Sequence, residues 1–241
     1  MSNNTSTQNH PQQQGLISRG FGLVLTMLFF LIMALFFSIV VEWVGMVYWW
    51  PDEGADHAKM MLENELHYLD RDFYRSIVTA SPMQFAANFV DTAYHYLFEW
   101  TGFTRFLTGL FDYSGSDEIM HQARMTVLRI WPFIESMLAI TQLFFVRLAI
   151  LTLATPIFVL AFLAGLTDGL VQRDLRRWGG GLESSFLYHQ TKRFIVPMFI
   201  SAWMVYLAMP ISVHPSWIIL PFALLFGGST AVTMSTFKKY L

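Results

Sequence analysis

Long apolar runs dominate the pattern of hydrophobic and polar positions along this chain. Four runs carry no charged side chain, and they cover residues 21–41, 148–166, 194–213 and 217–237. A helix rises 1.5 Å per residue, so each run is long enough to cross a hydrocarbon core of about 30 Å. The pattern predicts four transmembrane helices.

The remaining segments follow from these spans. No alternating strand pattern of useful length occurs, so we predict an all-α polytopic membrane protein with a helical outer segment between spans 1 and 2. Residues 1–15 are polar and rich in Gln and Asn, which indicates a disordered cytoplasmic tail. The predicted order after the tail is transmembrane helix 1 over 16–45, the periplasmic helical segment over 46–145, transmembrane helix 2 over 146–167, a basic cytoplasmic loop over 168–193, and transmembrane helices 3 and 4 over 194–213 and 217–237.

Basic residues beside the spans predict the orientation. Arg19 precedes the first run, Lys238 and Lys239 follow the last, and five Lys or Arg lie between runs two and three. Cytoplasmic flanks carry such an excess of Lys and Arg. We therefore expect a bacterial inner-membrane protein with both termini in the cytoplasm.

Start and stop signals divide the outer segment into helices. Pro51 and the acids after it suit a helix start, and Ser81-Pro82 is typical of a second helix that ends at Gly102. A third helix is expected after Ser116, and it can continue through Pro132 into the second span. The connection between spans 3 and 4 is expected to be only residues 214–216.

Composition narrows the function classes. The chain is 54% hydrophobic and 13% charged, with a net charge of −2 and no cysteine. The absence of cysteine excludes disulfides, thiolate metal sites and thiol catalysis, and the charge balance argues against a nucleic-acid-binding protein. The four runs lack the ionisable residues of a proton relay. We expect no enzymatic activity, no catalytic residues and no cofactor.

Two groups of acidic and histidine residues in the outer segment have the side-chain types of a metal site. Asp91, His95 and Glu99 recur every four residues, which suits either a metal-binding face or the solvated side of an amphipathic helix, and we favour the solvated side. Glu63, Glu65 and His67 have the same interpretation, so no metal site is expected.

Near the outer end of the second span, Glu135 and Arg147 leave two possibilities open. Arg147 either snorkels to the interface, which we favour, or pairs with a neighbouring helix.

Small residues give the last span a face suited to close helix packing. They are Gly227, Gly228, Ser229, Thr230 and Thr233. We therefore expect this face to lie against another span.

The cytoplasmic loop is the most distinctive polar segment. Asp168 is expected to cap a short helix over 169–178 that Gly179, Gly180 and Gly181 end. The loop either serves topology alone, with its basic residues on anionic lipid, or forms a docking surface. The candidate partner-binding residues are Asp168, Arg173, Asp174, Arg176, Arg177, Glu183, Tyr188, His189, Lys192 and Arg193.

The run DGLVQRDLRRWGGGLESSFLYHQTKR resembles the signature of the TraJ/OrfJ-like inner-membrane proteins of conjugative plasmids and integrative conjugative elements. The resemblance covers the order of spans and this loop. It implies a role beside the coupling ATPase of conjugative type IV secretion and carries over no catalytic residue. The residues that carry it are Asp168, Gly169, Arg173, Asp174, Arg176, Arg177, Gly179, Glu183, Tyr188, His189 and Arg193.

The resulting hypothesis is a non-enzymatic accessory subunit of a DNA-transfer apparatus. Its expected partners are membrane lipids, the coupling ATPase or other secretion subunits, and a possible second copy of itself, without sequence-specific nucleic-acid binding. The alternatives are a membrane transporter or channel, a periplasmic ligand sensor built on Asp91, His95 and Glu99, and an entry-exclusion protein.

Overall fold

The computed structural model describes residues 16–72, 76–112, 118–179 and 185–237. The expected disordered tail, residues 1–15, lies outside these described residues. Within the described ranges every regular element is a helix, which confirms the all-α prediction. In chain order the elements are α1 (Leu16–Tyr48), α2 (Ala55–Asp72), α3 (Pro82–Tyr94), a π-helical turn (His95–Glu99), α4 (Phe103–Phe111), α5 (Glu118–Trp178), α6 (Ser185–Ala208) and α7 (Pro215–Ser235).

Three of these described helices are long and apolar enough to cross a membrane. They are the Leu25–Tyr48 part of α1, α5, and α7. The apolar part of α1 is largely unpacked, with side chains such as Phe29 and Phe37 exposed to the surroundings. Such a surface is compatible with a location in lipid, because large apolar side chains on a helix that contacts few neighbours need an apolar environment.

Two of the predicted helix signals in the outer segment coincide with helix boundaries, whereas α2 begins at Ala55, four residues after Pro51, and α4 was not predicted. Pro82 occupies the first turn of α3 directly after Ser81, where its missing N–H costs no hydrogen bond. Gly102 has φ 78° and separates the π-helical turn from α4, and glycine adopts this left-handed conformation without a steric penalty. The predicted helix start at Pro82 and the predicted helix end at Gly102 are therefore both confirmed.

Helix α5 is a single element of 61 residues, or about 90 Å at 1.5 Å per residue. It runs through Pro132, as expected, and also through Asp168 and Gly169. The prediction that Asp168 caps a separate short helix is therefore wrong. The apolar side chains before Asp168 and the helix-favouring residues after it continue one hydrogen-bonding pattern, so the helix extends to Trp178.

Helices α6 and α7 form the expected hairpin with a longer connection. The chain is helical only to Ala208, and residues 209–214 form the link to α7. The three-residue connection over 214–216 is therefore wrong, and the predicted span 194–213 is not one continuous helix. Pro210 explains the difference, because it lacks an N–H and its ring disfavours a helical residue before it.

The hydrophobic core follows the middle of α5. Most residues from Phe144 to Phe158 are buried, and they pack against α6 and α7. Leu69 of α2 and Ala86 of α3 join the same core, so the outer helices pack on α5 rather than stand apart. This packing brings polar side chains of α2 next to the apolar bundle.

Candidate functional site

The inner end of α5 holds most of the predicted partner-binding residues. Arg176 donates from Nη1 to the carbonyl of Ser235, at 3.2 Å. The guanidinium of Arg173 lies 5.9 Å from the centre of the Phe237 ring, within the range of a cation–π contact. Both arginines are half-buried. They fasten the end of α7 to α5 and are only partly available to a partner.

The other α5 residues of the predicted set face outward. Asp168 accepts a hydrogen bond from Gln172 at 2.7 Å, and Asp174 and Arg177 are exposed. Next to Arg177, Trp178 is 92% exposed, and Leu175 is also exposed. The last turn of α5 therefore exposes one arginine, the carboxylate of Asp174 and two large apolar side chains.

Helix α6 carries part of the predicted set. Lys192 and Arg193 are exposed on its second and third turns. Tyr188 and His189 belong to α6, but their side chains lie outside the described part of the structure, as does all of Glu183. The structure thus joins Arg173 and Arg176 to the end of α7.

A buried polar cluster lies near the outer end of the apolar bundle. Arg147 donates from Nε to Oε1 of Glu65 at 2.9 Å. Its Nη1 and Nη2 donate to the carbonyls of Met209 at 2.6 Å and Ile211 at 2.9 Å. All three nitrogens of this guanidinium are therefore satisfied although the side chain is only 1% exposed.

Tyr206 completes the cluster. Its hydroxyl donates to the second oxygen of Glu65 at 2.5 Å, and its ring lies 5.4 Å from the Arg147 guanidinium carbon. Burial raises the pKa of the Glu65 carboxyl above its ordinary value, while the charge of Arg147 and the Tyr206 hydrogen bond act in the opposite direction. We call Glu65, Arg147 and Tyr206 the outer clamp, since they tie α2, α5 and α6 together.

The outer clamp decides between the two interpretations of Arg147. Snorkelling is wrong, because the side chain is buried and paired with α2. The charged group gains more from a carboxylate and two free carbonyls than from the interface, and Pro210 leaves those carbonyls without helical partners. Sequence reasoning missed Glu65 as the partner. The available signal was its place in the buried stripe of α2, with Ala58, Met61 and Leu69.

Two further pairs join α2 to its neighbours. Nδ1 of His57 lies 3.1 Å from Oε1 of Glu42, which is buried at the outer part of α1. The Trp50 ring stacks on His57 at 4.0 Å. At the other end of α2, Asp72 pairs with His214, whose Nδ1 accepts from the backbone N–H of Ser216 at the start of α7. Helix α2 is therefore fixed along its whole length.

The α5–α7 contact nearer the inner end is built differently. A Cβ on Gly165 would lie 2.2 Å from the carbonyl oxygen of Gly227, and a Cβ on Gly169 would lie 2.4 Å from that of Ala231. Thr230 and Thr233 are also buried. We call Gly165, Gly169, Gly227 and Ala231 the inner seam. It confirms the predicted small-residue face, except that Gly228 points to open space.

The outer trio considered for a metal does not converge. His95 contacts Glu99 at 2.7 Å on the exposed surface, and the π-helical turn changes the four-residue spacing that a regular helix would give. The described residues contain no group of three or more His, Asp or Glu side chains arranged to hold a metal ion.

The fold and these contacts define a helical protein with membrane-compatible helices that are joined by polar and small-residue contacts. A family model described as IncC plasmid conjugative DNA transfer protein DtrJ-like matches residues 49–238. The chain therefore belongs to the DtrJ-like family. No curated protein and no solved structure matches the chain. The expected association with conjugation is confirmed, and the matching family carries a different name from the TraJ/OrfJ-like group.

Proposed function

We propose that the protein is a non-enzymatic inner-membrane subunit of the conjugative type IV secretion apparatus that assembles with the coupling ATPase. The observation that carries the proposal is the DtrJ-like match, which extends over 49–238 and so includes the outer helices, α5, α6 and α7. Three described helices suited to a membrane support it. The fourth span is α6 with its link to α7, and both termini face the cytoplasm.

The inner end of α5 is the docking surface in this proposal. Leu175, Arg177 and Trp178 are each exposed in the last turn of α5. Arginine and tryptophan are the residue types that contribute most often to protein–protein contacts, and an arginine can bind a partner carboxylate through two hydrogen bonds. Arg173 and Arg176 hold the surface in place through α7.

Donor-cell transfer assays test the proposal. Deleting the gene in the donor should strongly reduce transfer, and expression in the donor should restore it. The double variant Arg177→Glu/Trp178→Ala should reduce transfer and the recovery of the coupling ATPase with the purified protein. Leu160→Ala, an exposed apolar position elsewhere on α5, is the matched control. Normal transfer after deletion would refute the proposal, and an effect of recipient expression alone would indicate entry exclusion.

Labelling of single-cysteine variants tests the orientation, because the chain has no native cysteine. Trp178→Cys should react with a membrane-impermeant maleimide only after the inner membrane is opened. Trp100→Cys, exposed on the outer segment, should react once the outer membrane alone is permeable. The reverse pattern would contradict the proposed topology.

A further inference from the structure

Three helices of the apolar bundle contain an interior proline near the middle of their packed region. The prolines are Pro156 in α5, Pro197 in α6 and Pro221 in α7. An interior proline removes one helical hydrogen bond, and its ring disturbs the preceding turn, so sharp kinks concentrate at such positions. A break of this kind allows a helix to bend only where its neighbours leave at least one side loosely packed.

Pro156 and Pro221 are enclosed by buried side chains on both sides. The same hydrophobic core continues within three residues before and after each of these two prolines. The buried side chains are Leu153, Ala154 and Phe158 around Pro156, and Ile218, Ile219 and Ala223 around Pro221. The core therefore fixes the direction of α5 and α7 through both positions.

Pro197 instead separates two differently packed halves of α6. Among the described side chains of α6, the buried ones are Ala202, Tyr206 and Leu207, which all follow Pro197. Before the proline, every side chain of residues 190–196 is exposed or only half-buried. The packing of α6 on the bundle therefore changes at the proline itself. We call residues 190–196 the α6 arm.

Neither of the two junctions described above reaches the α6 arm. The outer clamp holds α6 through Tyr206, which lies about 14 Å along the helix from Pro197. The inner seam joins α5 to α7, and the sequence of α6 contains no glycine that would let its backbone approach a neighbour in the same way. One half of α6 is thus fixed by buried contacts, whereas the other half is attached mainly through the helix itself.

We propose that Pro197 is a hinge about which the α6 arm moves as a helix, while the outer half of α6 stays fixed to the outer clamp. Pro197 has no N–H to donate to the carbonyl of Arg193, so bending at this turn breaks one hydrogen bond fewer than bending elsewhere. The arm carries Lys192 and Arg193, two of the candidate partner-binding residues. Its motion therefore changes the distance between these basic groups and the inner end of α5. The hinge does not depend on the coupling ATPase proposed above.

Distances between pairs of spin labels in native membranes test the hinge, because the chain has no cysteine of its own. The arm pair is Gln190→Cys with Val171→Cys, which joins the arm to the inner part of α5. The fixed pair is Met204→Cys with Leu160→Cys, which joins the outer half of α6 to α5. All four positions are exposed. The distribution of distances should be severalfold wider for the arm pair than for the fixed pair.

Substitution of the proline provides the second measurement. Pro197→Ala restores the missing N–H and should narrow the arm-pair distribution to about the width of the fixed pair. Pro156→Ala is the matched control, since it removes an interior proline that is packed on both sides, and it should leave the arm pair unchanged. An unaltered fixed-pair distance shows that each variant is folded. The proposal is overturned if the arm pair is as narrow as the fixed pair, if Pro197→Ala leaves its width unchanged, or if Pro156→Ala narrows it equally.

Discussion

The outer clamp and the inner seam join helices to α5 by opposite means. In the outer clamp, Glu65, Arg147 and Tyr206 use charges and directional hydrogen bonds in a buried site. In the inner seam, Gly165 and Gly227 remove side-chain volume, so that two backbones come into contact. The clamp therefore fixes which residues meet, whereas the seam fixes how closely two helices approach.

The difference has a physical reason in the neighbours that each region joins. The clamp connects α5 to α2, a helix with exposed charges, and to a link whose carbonyls have no helical partners. Such a junction needs a donor that satisfies several acceptors, which arginine provides. The seam connects two apolar helices whose backbones are already satisfied, so shape alone determines their packing.

The largest loss of stability is expected when a substitution breaks the outer clamp. Arg147→Met leaves Glu65 buried without its counter-ion, so the free energy of unfolding should fall by about 3–5 kcal/mol. Denaturation in a mild detergent measures this loss. The double variant Arg147→Met/Glu65→Met removes both charges and should regain much of the stability. A loss below about 1 kcal/mol in the single variant would contradict the clamp.

The second-largest loss of stability is expected when a substitution separates the two helices at the inner seam. Gly165→Ala places a Cβ against the Gly227 carbonyl, and separating the backbones should cost about 2 kcal/mol of unfolding free energy. Gly228→Ala is the matched control, because its Cβ meets open space. The same denaturation assay compares the two variants. Equal stabilities would show that α5 and α7 do not approach as closely as described.

A smaller change sharpens the description of the clamp. Tyr206→Phe removes the hydroxyl that donates to Glu65 but keeps the ring beside Arg147. Because Arg147 still pairs with Glu65, the loss should be about 1 kcal/mol. Denaturation of Tyr206→Phe in the Arg147→Met/Glu65→Met background provides the test. There the hydroxyl has no carboxylate to reach, and an equally large loss would show that the bond to Glu65 is unimportant.

The smallest effect concerns an exposed pair outside the clamp. Lys59 donates to Glu135 at 2.7 Å, and hydrogen bonds to Glu135 and then Asp56 raise the pKa of Lys59 above 10.5. The folded state holds this proton more tightly than the unfolded state. The hydrogen bonds of Lys59 therefore contribute their full stabilisation below pH 10.5. This contribution is lost as the pH rises through the higher pKa that Lys59 has in the folded state. Unfolding midpoints across that range should fall slightly more for the natural protein than for Lys59→Met.

Much of the fold could be predicted because it depends on local signals. Apolar runs, the proline at the start of α3 and the glycine before α4 each act on their own neighbourhood. The small face of α7 was also visible from residue size alone. The end of α6 was missed because a continuous apolar run hides the effect of Pro210 on the backbone.

The outer clamp could not be derived in the same way. Glu65 and Arg147 are far apart in sequence, and nothing local to either residue identifies the other. Glu65 looked like one of several acids on a soluble helix, although its position in the apolar stripe of α2 indicates burial. The candidate partner-binding residues were predicted as a group from one sequence motif. Only the packing of α5 against α7 distinguishes the half-buried Arg173 and Arg176 from the exposed Arg177.

The uninterrupted course of α5 sets a distance between two arginines. Measured along the helix, Arg147 and Arg176 are about 43 Å apart, which is close to eight whole turns, so both project toward the same side. That length equals the thickness of a bilayer together with its head groups, about 40–45 Å. One continuous helix thus holds two guanidinium groups on the same side, and inserting or deleting one residue between them would rotate one against the other by about 100°.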